Sequence, residues 1–255
     1  MRLKWQSASS AGARPRQPRW ATNIHPGTKA MTLLLLIRHG ENDVMQRHLT
    51  GRAPGVSLNG KGRQQAELMA DALTHAPIKA VYSSPLERAI ETAEPLALKR
   101  HLSVQLRPNL IEVDYGNWQG RTYKQLGRSN LWKALLEKPS QIRFPGGETM
   151  AEVQQRVVAD LDTLAHEWLT VDADGKAEEQ LIAVVAHADV IRLALAHYLN
   201  MALDDFLRLT VNPASLSIVQ SDGSSRPKVI CINQQPNFAW PASKPPLERK
   251  KRAND

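Results

Sequence analysis

Short apolar runs alternate with longer amphipathic stretches through most of the chain. Between the runs, apolar residues recur at helical spacing over about residues 59–75 and 188–199. This alternation predicts an α/β fold, a three-layer α/β/α sandwich with a mostly parallel central sheet. The strand-like runs are residues 32–37, 78–82, 181–186, 215–220 and 227–232. The last two flank the polar residues 221–225, which predicts an antiparallel strand or hairpin near the C-terminus.

Two stretches carry the signals of helix N-termini. Thr149 followed by Glu152 forms a capping box that opens an amphipathic helix through about residue 169. The second stretch predicts Ser84 as N-cap, Pro85 at the first helical position and Glu87 completing the box. We expect Pro95 to kink or shorten this second helix.

Basic residues are concentrated at the two ends of the chain. Residues 1–30 carry a formal charge of +6 and residues 244–255 carry +3, so the remainder carries −1 of the total of +8. A nearly neutral middle offers no basic face, so we expect no nucleic-acid partner. We expect a disordered basic extension over residues 1–30, one domain over 31–235 and a basic tail over 236–255. Met31 is an alternative first residue.

The cysteine count and the lengths of the apolar runs indicate which cellular compartment to expect. Cys231 is the one cysteine of the sequence, so neither an intrachain disulfide nor a cysteine-based zinc site can form. This fits a reducing compartment, and we expect the protein to be cytoplasmic. The apolar runs are far shorter than the roughly 18 residues of a membrane span, so we expect no membrane association.

Two histidines directly follow two of the predicted strands. Arg38-His39 comes after the first run, and His187 comes after the third. The carboxyl ends of parallel strands meet at one crevice of an open α/β sheet, where such folds bind ligands. Arg38, and Arg88 in the first turn of a predicted helix, supply guanidinium groups that suit a phosphate. One imidazole can then attack phosphorus while the other groups neutralise the oxygens, which predicts phosphoryl transfer through a histidine.

Six stretches, in this order along the chain, resemble the motifs of a known family. They are LLIRHGE at 35–41, LNGKGRQQA at 58–66, YSSPLERAIETA at 82–93, LIEVDYGNWQG at 110–120, PGGET at 145–149 and VAH at 185–187. The family is the histidine phosphatase (phosphoglycerate-mutase-like) superfamily, and the resemblance covers about residues 31–220. Residues 49–58 and the compact segment between Arg88 and Glu112 most resemble its broad-specificity phosphatase branch.

The resemblance implies a role for each catalytic residue. It implies that His39 is the nucleophile that becomes phosphohistidine, and that Arg38, Arg88 and His187 form the rest of the phosphate pocket. It implies that Glu112 is the general acid that protonates the leaving oxygen and later activates water. Without the family motif, Glu112 would be interpreted as a carboxylate of a surface loop. The chemistry implied requires no metal and no cofactor.

Departures from the family's pattern bear on substrate binding. Asn42 stands where many members have Thr or Ser, and Met45 stands where many have an Asn of the pocket. The second change removes a hydrogen bond to the phosphate, which we expect Arg52 or a backbone N–H to replace. Arg52 and Asn42 are therefore candidate substrate-binding residues. Ala188-Asp189 replaces a pair of small residues, often Gly-Gly, after the second histidine.

The resemblance implies hydrolysis of small phosphomonoesters, with a small phosphorylated metabolite as the partner. A phosphoglycerate-type mutase is the alternative, because both reactions pass through phosphohistidine. A protein phosphatase on the same fold is a third interpretation. A phospho-ligand binding module without turnover is a fourth, and retention of the site residues argues against it. A homodimer is a possible assembly.

Overall fold

Six strands form one sheet in the computed structural model, which describes residues 29–171, 177–224 and 226–237. They are β1 (Met31–Arg38), β2 (Ile78–Ser83), β3 (Val104–Leu106), β4 (Glu179–Ala186), β5 (Leu216–Ser221) and β6 (Lys228–Gln234). Their order across the sheet is β3-β2-β4-β1-β5-β6. The first four are parallel, whereas β5 is antiparallel to β1 and β6 is antiparallel to β5. The predicted mostly parallel sheet with a C-terminal antiparallel hairpin is confirmed.

Helices cover both faces of this sheet. They are α1 (Gly60–Ala72), α2 (Glu87–Lys99), α3 (Tyr123–Leu126), α4 (Asn130–Glu137), α5 (Met150–Glu167) and α6 (Ala188–Tyr198), with 3₁₀ turns at Pro108–Leu110, Gly116–Trp118, Pro139–Gln141 and Leu203–Arg208. Helices α1 and α2 share a hydrophobic cluster with Leu33 and Leu35 of β1, and α5 and α6 share one with Leu34 and Leu36. Because successive side chains of a strand point to opposite faces, the helices form two separate layers. The three-layer sandwich is confirmed.

None of these helices, within the ranges described, combines the length and apolarity needed to cross a bilayer. The predicted disordered extension (1–30) and tail (236–255) lie outside the described residues, apart from residues 29, 30, 236 and 237. Both stay predictions.

β1 lies inside the sheet with both faces covered. Residues 32–37 are all buried, because β4 pairs with one edge of β1 and β5 with the other while helices pack above and below. A strand buried on both faces has a continuous apolar run rather than an alternating one. β1 and β4 pair in parallel with Arg38 opposite Ala186. His39 and His187, the next residues, therefore leave the sheet at the same edge.

Most element boundaries lie within three residues of those that the sequence predicts. The capping box of α5 is confirmed: Thr149 Oγ1 accepts from Glu152 N (3.1 Å), and the Glu152 carboxylate accepts from Thr149 N (2.8 Å). The strand β3 and the short helices α3 and α4 were not predicted, because three to eight residues are too few to show a period.

The predicted capping box of α2 is wrong. The N-cap is Leu86, which has no side-chain hydrogen bond to the helix. The Ser84 hydroxyl lies 2.7 Å from Nε2 of His187 instead, and Glu87 Oε1 accepts from the backbone N–H of Gly55 (2.9 Å). Both side chains are thus engaged by tertiary partners that the local sequence does not show.

Of the two effects expected of Pro95, a kink or a shortening of α2, the shortening is wrong. The helix continues through it to Lys99. Proline in a helix costs about 3 kcal/mol, but the neighbouring Ala93, Leu96 and Ala97 are buried against the sheet. Burial of the Leu96 side chain alone contributes about 1.5–3 kcal/mol. Packing on the sheet therefore offsets the local preference.

Candidate active site

A cavity of about 250 Å³ opens at the carboxyl edge of the sheet, where β1 and β4 end. The predicted site residues that line it are Arg38, His39, Asn42, Arg88 and Glu112; its other lining residues are Met45, Leu49, Thr50, Gly51, Tyr115, Tyr123, Ala188, Asp189 and Arg192. A larger cavity of about 770 Å³, between α1 and α2, has none of the predicted site residues in its lining. The smaller cavity is therefore the candidate site.

His39 is held in one tautomer at the end of β1. It is 4% exposed, and its Nδ1 lies 2.7 Å from the carbonyl oxygen of Gly40. A carbonyl can only accept, so Nδ1 carries the hydrogen and Nε2 keeps its lone pair. Burial lowers the pKa of His39 well below its usual value, and Arg88 and Arg38 lower it further. The imidazole is thus neutral and nucleophilic at neutral pH.

The loop after β1 lies very close to the start of α1. A Cβ added to Gly40 would lie 2.6 Å from the carbonyl oxygen of Gly62, and one added to Gly62 would lie 2.0 Å from that of Glu41. Both distances are far inside van der Waals contact, so both positions require glycine. The two motifs LLIRHGE and LNGKGRQQA are therefore in direct backbone contact, which fixes the residues around His39.

His187 lies behind His39 and is fully buried. It is the N-cap residue of α6, and the two imidazole ring centroids are 5.2 Å apart. Its Nε2 is 2.7 Å from the Ser84 hydroxyl oxygen, which orients the ring. Burial lowers the pKa of His187 well below its usual value, as do Arg88, His39 and Arg38. Sequence reasoning gave Ser84 the role of a helix cap and missed this contact.

Two arginines bring positive charge to the pocket from different elements. Nη1 of Arg38 donates to the carbonyl oxygen of Val211 (2.7 Å), and Nη2 of Arg88 donates to that of Gly51 (2.8 Å). Each contact orients a guanidinium while its remaining N–H groups stay available for a ligand. Burial lowers the pKa of both arginines, yet a guanidinium remains charged at neutral pH.

Four buried nitrogen atoms at this site have no hydrogen-bond partner in the described part of the chain. They are Nε of Arg38, Nη1 of Arg88, Nδ1 of His187 and Nδ2 of Asn42. Buried polar atoms of folded proteins are nearly always hydrogen-bonded. The Asn42 amide oxygen accepts from two backbone N–H groups of the following turn (3.2 and 2.9 Å), which leaves its nitrogen as the free donor. The free nitrogens of Arg38, Arg88 and Asn42 are hydrogen-bond donors, and a phosphoryl group, with several anionic acceptor oxygens, suits them.

Glu112 lies in the pocket and not on the surface. It is 8% exposed, and its Oε1 accepts from the backbone N–H of Val113 (3.0 Å). Burial and then the nearby Asp189 raise the pKa of Glu112 to about 7, against the opposite effects of Val113 N–H, Arg88 and Arg38. A carboxyl of this kind carries its proton for much of the time at neutral pH, as a general acid must.

An ion network holds the backbone of Glu112. Nε of Arg52 (2.8 Å) and Nη2 of Arg156 (3.2 Å) both donate to the Glu112 carbonyl oxygen. Both arginines also pair with Glu148, Arg52 at 2.8 Å and Arg156 at 2.9 Å. The structure therefore does not bring Arg52 into the pocket as a substrate contact. Its guanidinium lies behind Glu112, where backbone oxygens and carboxylates occupy it.

Four lining residues with ionisable side chains were not named as site residues by sequence reasoning. They are Tyr115, Tyr123, Asp189 and Arg192. Asp189 Oδ2 accepts from the Tyr115 hydroxyl (2.5 Å), and its Oδ1 accepts from Nη1 of Arg192 (2.9 Å). The one available signal was the departure at Ala188-Asp189, which replaces two small residues. Among the described residues, no cluster of His, Cys, Asp and Glu side chains is suited to hold a metal ion.

The fold and the pocket define a class of α/β proteins with a histidine and arginine anion site at the carboxyl edge of the sheet. The chain belongs to the histidine phosphatase superfamily (branch 1), whose family model matches residues 34–234. The family resemblance of the six motifs is confirmed.

The proteins to which this chain is similar include phosphatases and a mutase. The chain is 28% identical to phosphoserine phosphatase 1 of Hydrogenobacter thermophilus over 198 residues, which cover 75% of this chain and 88% of that protein. It is 28% identical to a 2,3-bisphosphoglycerate-dependent phosphoglycerate mutase of Thermoplasma acidophilum over 193 residues, which cover 74% and 87%. Among solved structures, it is similar to the native mycobacterial glucosyl-3-phosphoglycerate phosphatase Rv2419c, with a TM-score of 0.68 and 25% identity over 80% of this chain and 100% of that one.

Proposed function

We propose that this protein hydrolyses small phosphomonoesters through a phosphohistidine on His39, with Glu112 as acid and base. The observation that carries the proposal is a neutral histidine beside three buried nitrogen donors, on Arg38, Arg88 and Asn42, that lack partners in the described chain. The phosphatase names of two of the relatives support hydrolysis. A cavity of about 250 Å³ suits a small metabolite better than a phosphorylated protein loop.

In the first step, Nε2 of His39 attacks phosphorus and the bond from phosphorus to the ester oxygen breaks. The Nδ1–H hydrogen bond to Gly40 stabilises the positive charge that develops on the ring. Glu112 donates its proton to the leaving oxygen, which departs as an alcohol. The guanidinium groups of Arg38 and Arg88 neutralise the oxygens that remain on phosphorus.

In the second step, water attacks the phosphoryl group on His39. Glu112, now a carboxylate, accepts a proton from this water, and the bond between phosphorus and Nε2 breaks. Inorganic phosphate leaves, His39 returns to its neutral form and Glu112 again holds its proton. All charges that the mechanism uses are supplied by residues of this chain, and we propose that no metal ion takes part.

A phosphoglycerate-type mutase is the second candidate, because one relative carries that name. The two reactions share the first step and differ in whether water or a bound alcohol takes the phosphoryl group from His39. Incubation with 3-phosphoglycerate and 2,3-bisphosphoglycerate separates them. A hydrolase releases inorganic phosphate, whereas a mutase interconverts 2- and 3-phosphoglycerate with little release.

The test of the proposed function is turnover of p-nitrophenyl phosphate and glycerol 2-phosphate by the full chain, with and without EDTA. We expect phosphate release from both esters and equal rates in EDTA. Loss of turnover in EDTA contradicts the metal-independent mechanism. Failure to hydrolyse either ester, or any member of a panel of phosphorylated metabolites, contradicts the proposed function itself.

A further inference from the structure

Asp189 places a negative charge in a pocket that is otherwise built to hold an anion. It lies in the first turn of α6 and shares the cavity with Glu112. Its side chain is 17% exposed. Both oxygens have protein donors, one from Arg192 and one from Tyr115. The carboxylate is therefore fixed in position rather than free to follow a ligand.

This carboxylate opposes the binding of a phosphate dianion, because like charges repel strongly when they are close together in a medium of low dielectric constant. Its two oxygens are engaged by the protein, so the geometry does not favour a direct contact with substrate. A negative charge does favour any nearby carboxyl that must keep its proton. Glu112 is a carboxyl with that requirement in the same cavity.

The charged groups that face Glu112 come from three elements. Arg38 at the end of β1 and Arg88 in α2 favour its ionised form, as does the N–H of Val113, whereas Asp189 in α6 favours its protonated form. Burial and Asp189 outweigh the others and raise the pKa of Glu112 to about 7. Other titratable or charged groups in this region are His39, Tyr115, Tyr123 and Arg192 in the cavity, and Arg52 and Arg156 on the Glu112 carbonyl oxygen.

We propose that Asp189 is a positioning residue for proton transfer: its fixed negative charge keeps the proton on Glu112 at neutral pH. Arg38 and Arg88 favour the ionised form of Glu112, which cannot protonate a leaving oxygen, and Asp189 adds to burial in opposing them. Asp189 thus weakens phosphate binding, but it also increases the fraction of Glu112 that is protonated and able to act as an acid. This inference rests on the proposed function for the role of Glu112, but the titration of Glu112 tests the coupling of the two carboxyls without it.

The first readout is the titration of Glu112 itself, which requires no turnover. Carboxyl ¹³C NMR of the full chain, with Glu112→Gln to assign the signal, gives the pKa of Glu112 in the wild type and in Asp189→Asn. We expect a fall of about one pKa unit in the variant, in line with the usual effect of one nearby charge. Asp205→Asn is the matched control, because Asp205 forms the same (i, i+3) ion pair with Arg208 on the surface. The control leaves the Glu112 titration unchanged.

The second readout is the pH dependence of kcat/KM for glycerol 2-phosphate. At pH 7.5 we expect Asp189→Asn to be roughly five- to tenfold slower than the wild type, and at pH 5.5 nearly equal to it, because Glu112 is protonated there in both proteins. p-Nitrophenyl phosphate, whose leaving group needs little protonation, should change far less. Inhibition by inorganic phosphate should become tighter, since a repelling charge is gone.

Each outcome separates this inference from the proposed function. Equal Glu112 titrations in wild type and Asp189→Asn overturn the inference, whether or not esters are hydrolysed. A lower pKa in the variant without hydrolysis of any ester by the wild type supports the coupling and overturns the proposed function. An equal loss at pH 5.5 and 7.5, or a loss confined to an ester that carries an ammonium group such as phosphoserine, makes Asp189 a structural residue or a substrate contact and also overturns the inference.

Arg192→Gln provides a second variant if Asp189→Asn does not fold. It removes the counter-charge of Asp189 and keeps the carboxylate, so we expect the pKa of Glu112 to rise and the activity on glycerol 2-phosphate to extend to higher pH. A pKa of Glu112 that falls or does not change in Arg192→Gln contradicts the proposal.

Discussion

The two halves of the pocket are held in place by different means. In the half proposed to hold the phosphoryl group (the phosphate half), His39 and His187 follow the adjacent parallel strands β1 and β4, so backbone hydrogen bonds of the sheet fix both. In the half proposed to supply the proton (the acid half), Glu112 lies on a loop, and the side chains of Arg52 and Arg156 hold its carbonyl oxygen. A side-chain change leaves the backbone hydrogen bonds of a sheet in place, whereas in an ion network it can remove one of the contacts that hold the loop. We therefore expect proton transfer to be easier to damage from a distance than phosphate binding.

The largest effect should come from the phosphate half. His39→Ala removes the nucleophile, so we expect kcat to fall by roughly a thousandfold or more, with a melting temperature close to that of the wild type. Steady-state kinetics and thermal unfolding followed by circular dichroism measure both. His75→Ala, which changes an exposed histidine, should leave both unchanged. Substantial activity of His39→Ala would refute the assignment of the nucleophile.

The next effect tests the acid half directly. Glu112→Gln should slow the hydrolysis of glycerol 2-phosphate by about 10²–10⁴-fold and that of p-nitrophenyl phosphate far less. Only the alkoxide leaving group of the first ester requires a proton. The raised pKa of about 7 means that Glu112 is mostly protonated below pH 7. The wild-type kcat/KM for the alkyl ester should therefore fall as pH rises above 7, and the variant should lack this decline. Equal slowing of both esters would count against an acid role.

A smaller effect tests whether the ion network supports proton transfer without supporting phosphate binding. Arg156→Ala removes donors to the Glu112 carbonyl and to Glu148, so we expect a loss of about 1–3 kcal/mol in the free energy of unfolding. We also expect kcat for glycerol 2-phosphate to fall by about tenfold, with little change in inhibition by phosphate. Urea denaturation and inhibition kinetics provide the readouts.

Arg143→Ala is the matched control for Arg156→Ala. Arg143 pairs with Glu152 on the surface, and both side chains are well exposed, so the loss should be below about 1 kcal/mol. If phosphate inhibition weakens as much as kcat falls in Arg156→Ala, the two halves of the pocket are not independent.

The smallest effect tests whether Arg52 contacts the phosphate, as the sequence predicts, or holds the Glu112 carbonyl oxygen, as in the structure. Because Arg156 also donates to the Glu112 carbonyl, Arg52→Ala should reduce kcat by only a few fold. The inhibition constant for inorganic phosphate should stay within about twofold of the wild type. A tenfold rise, equal to about 1.4 kcal/mol, would identify Arg52 as a phosphate contact after all.

The same contrast explains what the sequence could predict. The histidines and arginines of the phosphate half follow apolar runs or occupy a helix's first turn, and these local patterns place them at one edge of the sheet. Thr149 caps α5 as predicted because its partner Glu152 is three residues away.

The remaining features depend on partners distant in sequence. Ser84 contacts His187 across 103 residues, and Arg52 contacts Glu148 across 96. No local pattern shows that either side chain is already engaged. Asp189 stands out in the sequence only as a departure from two small residues, and its contact with Tyr115 follows from the tertiary fold.

Rapid-quench analysis of the working wild-type enzyme is the most direct test of the phosphohistidine mechanism. Mixing with p-nitrophenyl phosphate, stopping in base after milliseconds and mapping the peptides should give a phosphoryl group on the imidazole of His39, labile in acid and absent from His39→Ala. Turnover without any phosphorylated protein, or with the phosphoryl group on another residue, would contradict it.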